Sequence, residues 1–267
     1  MPDGTAPLLL RADADGIARI TLHRPEARNA LNFALLGALQ DTLARLAEDR
    51  AIRVVVLGAA GSVFCAGHDL RELAAHRADA DGGRAFFDAA MQRCAAVMQA
   101  IVALPQPVIA EVQGVATAAG CQLVATCDLA VAADHARFAT PGVDIGLFCS
   151  TPAVALSRAV PAKSAMEMLL TGEMIGAEHA QRIGLVNRVV PAATLADATT
   201  ALAAHIAARS AHVVQIGKRA FHRQRGLPLA EAYAHAAAVM TENLMDADAI
   251  EGIGAFIAKR KPVWSNR

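Results

Sequence analysis

Aromatic residues are scarce in this 267-residue chain: they make up 4% of it, with one tryptophan and one tyrosine. A ring-lined groove for stacking sugars or bases is not expected, whereas close helix–helix packing through its many alanines is. Neither sign of charge is in surplus, because 25 Lys+Arg balance 25 Asp+Glu. Nucleic acid and an anionic membrane surface, which both attract a basic excess, are excluded as main partners. No apolar run reaches the roughly 18 residues that a spanning helix needs, so no membrane partner is expected. The five cysteines (65, 94, 121, 127 and 149) contain no CxxC pair. Their odd number and apolar settings predict reduced, buried thiols in a cytoplasmic protein, with no disulfide or structural zinc. The histidines are scattered with no i, i+4 pair, so no metal site is expected. GxSxG, HExxH, Walker A and strand-linked GxGxxG motifs are all missing, which removes serine hydrolase, zincin, P-loop and dinucleotide readings. The first residues carry Asp3, Asp13 and Asp15 around Leu8–Leu10, a pattern from which no signal peptide is expected.

What is present is core-forming material: 55% of the chain is hydrophobic and 19% charged. Leu8–Arg11 and Ile17–His23 flank Asp13-Ala14-Asp15-Gly16 as a hairpin. Asn32 stands where it can cap a helix, followed by leucines at 35, 36, 39, 43 and 46 at helical spacing. Val54–Leu57 reads as a strand buried on both faces, and Gly58–Gly67 as a loop. A helix is predicted from about Arg84 to Leu104, closed by Pro105. The order then recurs: strand Pro107–Val112, small-residue loop Gly114–Gly120, helical Cys121–Thr126, and further strands at Leu129–Ala132 and Leu185–Val190. Alternating strand, loop and helix without a fixed repeat predicts a layered or spiral α/β core. From Leu195 onward only helical patterns appear, at Leu195–Arg209, His212–Arg225, Leu229–Met245 and Asp248–Arg260. The expected division is therefore a core at 1–194 and a helical region at 195–267 that packs on the core or on a neighbouring subunit.

Two loops share one physical property. Phe64-Cys65-Ala66-Gly67-His68-Asp69-Leu70 and Gly114-Val115-Ala116-Thr117-Ala118-Ala119-Gly120 each leave a strand and open toward a helix through small residues. Such turns expose backbone N–H groups to a ligand, or else only permit tight packing. With Arg24-Pro25…Asn29-Ala30-Leu31, Cys121-Gln122-Leu123…Cys127-Asp128, Phe138-Ala139-Thr140-Pro141, Leu170-Thr171-Gly172-Glu173, Ala180–Val186 and Phe256…Lys259-Arg260-Lys261-Pro262, these loops resemble the crotonase (enoyl-CoA hydratase/isomerase) superfamily over nearly the whole chain. Ala116–Leu123 and Phe138–Pro152 resemble one subgroup of it in particular.

The resemblance implies an α/β fold, a spiral of ββα units with a helical C-terminal region that builds homotrimers, commonly paired as hexamers. It implies an acyl-coenzyme A thioester as partner and a setting in fatty acid metabolism. The backbone N–H groups of His68 and Ala119 match the family's oxyanion donors. Ala27, Arg28, Ala66, Asp69 and Leu70 match positions along the coenzyme A path. Phe256 and Lys259 match residues that reach the adenine and its phosphates, often across a subunit boundary. No cofactor is implied, since coenzyme A is part of the substrate and the thioester is the electron sink.

The chain departs from the family where hydration needs a base and an acid. At the two hydratase glutamates stand Gln122, whose amide has no proton to exchange near neutral pH, and Gly142, which has no side chain. Asp144 is the nearest substitute, on the same side as Gly142 if that segment is extended; capping a loop is the alternative. His68 titrates near neutrality, but its imidazole is equally read as facing solvent or coenzyme. Cys149-Ser150-Thr151 offers a thiol and hydroxyls, with capping by Ser150 or Thr151 expected. Three functions remain open: an enoyl-CoA hydratase-like enzyme, an acyl-CoA binder with little catalysis, or another enolate reaction such as isomerisation, decarboxylation or thioester hydrolysis.

Overall fold

A computed structural model describes residues 6–266; Asp3 lies outside them. β1 (Leu9–Ala14) and β2 (Ile17–Leu22) form the expected hairpin. Asp15 and Gly16 have φ of 51° and 77°, the two left-handed residues that a tight hairpin turn requires. Asn32 caps α1 (Phe33–Glu48) by accepting the Leu35 N–H at 2.9 Å, and the five spaced leucines of α1 are buried.

Three strand pairs follow. β3 (Val54–Ala59) and β4 (Val63–Cys65) lead to α2 (Leu70–Ala75) and α3 (Arg84–Ala103). β5 (Val108–Val112) and β6 (Val115–Thr117) lead to α4 (Ala119–Thr126). β7 (Leu129–Ala133) and β8 (Arg137–Ala139) lead through a 3₁₀ turn at Pro141–Ile145 to α5 (Ser150–Ala159) and α6 (Ala162–Thr171). β9 (Ile175–Gly176), α7 (Ala177–Arg182) and β10 (Arg188–Val190) complete the strand-bearing part. In each pair the first strand joins a six-stranded sheet, β1-β2-β3-β5-β7-β10, and the second joins a smaller sheet, β4-β6-β8-β9. Apart from the β1–β2 and β8–β9 pairs, neighbours run parallel. This is the spiral of ββα units that the resemblance implied.

The continuous aliphatic run of β3 is explained by burial on both faces. Val55 and Leu57 belong to the main core, with leucines of α1 and Val97 and Ile101 of α3. Val54 and Val56 point the other way, onto Leu195, Ala203 and Ala207 of α8 (Leu195–Ala207). The successive residues of a strand face opposite ways, so one short run feeds two cores. α9 (Ala211–Gln224), α10 (Leu229–Met245) and α11 (Ala247–Ile257) complete the helical C-terminal part. Lys218 of α9 reaches into the core, donating to Ile101 O, Gln106 O and Asp128 Oδ2 at 3.0, 3.0 and 2.7 Å. α10 and α11 leave Tyr233, Met240, Met245, Ile250, Phe256 and Ile257 exposed. No helix among the described residues is long and apolar enough to cross a membrane.

Two expected loops contain strands. Gly58–Gly67 holds β4 and Gly114–Gly120 holds β6, each three residues long and too short for alternation to register. These strands aim the glycine-rich segments that follow them.

Candidate active site

The two loops meet. Beside the residues after β4 runs the segment 28–31. Ala66 N–H donates to Arg28 O at 3.1 Å, Leu31 N–H to Gly67 O at 2.7 Å, and Asp69 N–H to Leu31 O at 3.1 Å. Leu31 and His68 are thereby partners in a parallel bridge. In that pattern the N–H of His68 turns away from residue 31, and among the described residues it has no acceptor.

Gly67, at φ 93°, lies directly against the second loop. A Cβ there would stand 2.8 Å from Ala118 Cβ and 3.4 Å from Ala119 N. Ala118 itself adopts φ 50° and ψ −119°, strained backbone of the kind that collects at functional sites and costs on the order of 1–3 kcal/mol. Its N–H is held by Ala139 O at 3.0 Å. The next residue opens α4, so the Ala119 N–H has no acceptor within the helix and finds none among the described residues. At Gly120 a Cβ would run into the Cys65 carbonyl oxygen, so glycine alone lets α4 start this close to the end of β4. Two unpaired N–H groups, from His68 and Ala119, thus flank one contact between loops.

Asn29 holds the first loop in place. It is fully buried with φ 51°. Its Oδ1 accepts Arg24 N–H at 2.9 Å, while Nδ2 donates to Ala60 O at 2.8 Å and Val63 O at 2.7 Å. The motif contained this residue, but two of its three bonds reach more than thirty residues along the sequence and give no local signal. Arg28, at φ 54°, ends the 3₁₀ turn that contains Ala27. Asp69 caps α2, accepting Arg71 N–H at 3.1 Å and Glu72 N–H at 3.4 Å, and pairs with Arg24 at 3.1 Å. Leu70 is exposed just beyond it. Ala27, Arg28, Ala66, Asp69 and Leu70 therefore come together. Phe256 and Lys259 do not join them, since α11 packs chiefly on α9 and α10 and Phe256 is 84% exposed.

Gln122 follows Ala119 by three residues and so shares its helix face. It is buried, Oε1 has no partner, and it lines a cavity of about 1040 Å³ between α3, α4, α5 and α9 with Met98, Val102 and Asp128. Gly142 lacks space as well as a side chain. A Cβ there would lie 2.6 Å from Leu147 O and 2.8 Å from Cys149 Sγ. The expectation for Asp144 is corrected, because its segment is a 3₁₀ turn and not extended. With three residues per turn, positions 142 and 144 do not share a side. Asp144 is exposed, with Oδ1 toward Gly172.

His68 is half-buried, and within its imidazole Nε2 is buried and has no partner among the described residues. Burial holds its pKa below the ordinary imidazole value, against the Leu31 carbonyl, which favours the proton. The thiols offer no ready nucleophile. Burial pushes Cys65 and Cys121 up to about 12 and raises Cys149, which the Gly142 N–H opposes. Cys127 is only partly buried, the other four cysteines fully. The capping expected of Ser150 or Thr151 is absent: α5 starts at Ser150 without a side-chain cap, and Ser150 Oγ donates to Phe148 O.

Comparison with known proteins bears on this arrangement. Residues 12–267 match the enoyl-CoA hydratase/isomerase family. The mitochondrial enoyl-CoA hydratase domain-containing protein 3 of Xenopus laevis is 48% identical over 260 residues, covering 97% of this chain and 87% of the relative. Its human counterpart is 49% identical over 252 residues, covering 94% and 82%. The likeness seen in Ala116–Leu123 and Phe138–Pro152 is to this subgroup. A crystal structure of enoyl-CoA hydratase from Mycobacterium smegmatis superposes with a TM-score of 0.93 at 50% identity, covering 97% of this chain and 99% of that one. The crystal structure of the human domain-containing protein 3 gives 0.92 at 47%, covering 97% and 100%. The cytoplasmic setting read from the cysteines is overturned, since the vertebrate relatives are named mitochondrial. Reduced thiols separate reducing from oxidising compartments, not one reducing compartment from another.

Proposed function

The chain belongs to the enoyl-CoA hydratase/isomerase family, and on that premise we propose that it binds an acyl-coenzyme A thioester and stabilises the enolate of that thioester. The observation that carries this reading is the pair of unpaired N–H groups, His68 and Ala119, on either side of the Gly67–Ala118 contact. Two converging backbone donors stabilise an oxyanion most where charge develops, and the first turn of α4 adds the positive end of its dipole. Ala27, Arg28, Ala66, Asp69 and Leu70 would form the coenzyme A path. Asp69 serves it indirectly, by fixing Arg24 and the start of α2. Gln122, on the same face of α4 as Ala119, would meet the acyl group.

The adenine end needs a second copy of the chain. Phe256 and Lys259 lie away from the loops, on helices whose exposed apolar residues would be covered in a trimer or a hexamer built from two trimers. On this reading 1–194 forms the acyl-CoA core and 195–267 serves trimerisation, with α8 remaining packed on the core sheet. No cofactor is required.

Hydration by paired glutamates is not available. Each missing acid–base group is worth about 10²–10⁴ in rate, and the packing around Gly142 favours a second reading, an acyl-CoA binder with little hydratase turnover. The test is titration with butyryl-CoA by calorimetry alongside hydration of crotonyl-CoA, followed as loss of the conjugated thioester absorbance. The expected result is binding with slow hydration, and product analysis then separates isomerase, decarboxylase and thioesterase chemistry. Absence of binding would sink the proposal. Brisk hydration would sink the inference drawn from the missing carboxylates.

A further inference from the structure

We propose that Arg24 is a positioning residue of the oxyanion site: its guanidinium fork fixes the segment 28–31 against the residues after β4 and so aims the His68 N–H. The inference rests on the acyl-CoA reading above and assigns a further residue to the same site. Its first ground is where the fork lands. Nη1 donates to Ala30 O at 2.5 Å and Nη2 to Asp69 Oδ2 at 3.1 Å. Ala30 stands one residue before Leu31 and Asp69 one residue after His68, and Leu31 and His68 are the two partners of the bridge. The arginine therefore crosses the bridge diagonally and opposes any slip of one segment along the other. Donors held in one rigid plane fix direction as well as distance, which a point charge does not.

Slip matters here because the peptide between Gly67 and His68 is planar. Its carbonyl oxygen accepts the Leu31 N–H at 2.7 Å on one side, and that bond sets the direction of the His68 N–H on the other. An oxyanion donor works within a window of about 2.7–3.1 Å. A small displacement of this peptide weakens polarisation of the thioester carbonyl before it prevents binding.

The second ground is that both ends of the clamp are anchored. At its root, Arg24 O accepts the Ala27 N–H at 3.0 Å and the Asn29 N–H at 2.8 Å. At its tip, Asp69 divides its oxygens: Oδ1 accepts the Arg71 and Glu72 N–H groups of α2, and Oδ2 takes the arginine. Against the cost of burial, these bonds hold the carboxyl below the ordinary carboxylate value, so the pair stays ionised near pH 7. The two side chains are 16% and 15% exposed, which shelters them from the screening that weakens surface ion pairs. Asn29 does not duplicate the clamp. Its bonds to Ala60 O and Val63 O hold the entry to β4, whereas Arg24 grips the chain just after His68.

The experiment is isotope-edited infrared difference spectroscopy of carbonyl-¹³C butyryl-CoA bound to the wild type, Arg24→Lys and Arg24→Met, with affinity measured in parallel. In the wild type the thioester C=O stretch should fall below its frequency in free butyryl-CoA, as two N–H donors require. Arg24→Lys keeps the charge without the fork, and both variants should lose about half of that shift or more, with affinity lowered about three- to tenfold. A residue that merely supports the fold lowers stability or affinity and leaves the bound carbonyl at its wild-type frequency. That result in folded variants overturns the inference and leaves the acyl-CoA reading standing. A wild type that binds butyryl-CoA without shifting its carbonyl removes the oxyanion reading and this inference together, and a wild type that does not bind removes the acyl-CoA reading as well. Should neither arginine variant fold, Asp69→Asn opens the clamp from its other end: a reduced shift supports the inference and an unchanged one refutes it.

Discussion

Asn29 is the residue on which the first loop hangs, and Asn29→Ala measures how much. The substitution takes from Arg24 N–H, Ala60 C=O and Val63 C=O, all half-buried, the partner they have in the fully buried Asn29. Each unsatisfied buried group costs roughly 1–3 kcal/mol, so the low end for three is about 3 kcal/mol. Alanine must also hold φ 51°, where asparagine is at ease and other L-residues lose roughly 1–2 kcal/mol. The expected loss is about 4–5 kcal/mol, against a total stability of about 5–15 kcal/mol for a domain. Urea unfolding checks it, with Asn32→Ala as control. That variant loses one half-buried helix cap, worth about 1 kcal/mol. Binding of butyryl-CoA should fall with Asn29→Ala and not with Asn32→Ala, because only the former frees the 28–31 segment from the loop that carries His68. A loss no larger than the control's would refute the claim that this side chain organises the site.

Two further perturbations test the packing beneath the site. Restoring a side chain with Gly142→Glu, or even Gly142→Ala, should cost about 1–3 kcal/mol, because Leu147 O and Cys149 Sγ already occupy the space. At about 2–4 °C per kcal/mol the melting temperature reports this directly, and a variant melting with the wild type would show the site to be roomy. Lys218→Met should lose about 1–3 kcal/mol by taking the ammonium from Asp128 and the donor from Ile101 O and Gln106 O, while Asp128 keeps the Val108 N–H and His222. Adding Asp128→Asn should recover part of that loss in urea unfolding, and a single variant as stable as wild type would mean that α9 is held by other contacts.

Much of the fold was readable along the chain because its causes are local. The leucine spacing of α1, the Asn32 cap and the Asp15-Gly16 turn each depend on a few neighbouring residues. The aliphatic run of β3 announced burial on both faces, although not which helices supply it. The three-residue strands β4 and β6 stayed hidden inside loops, since three residues carry no periodicity and their pairing partners lie far away in sequence.

The candidate site divides in the same way. Small residues after two strands marked the loops, and Gln122 with Gly142 stated what a hydratase would lack here. Tertiary structure alone decided that the loops touch at Gly67 and Ala118, that the space at Gly142 is filled, and that Asp144 turns aside in a 3₁₀ turn. It also decided that Phe256 and Lys259 stand apart from the loops and that Nε2 of His68 is buried without a partner among the described residues. The physical reason is range. Caps, turns and amphipathic faces are set by residues a few positions apart, whereas close approach, burial and the pairing of polar groups are set by atoms that only folding brings together.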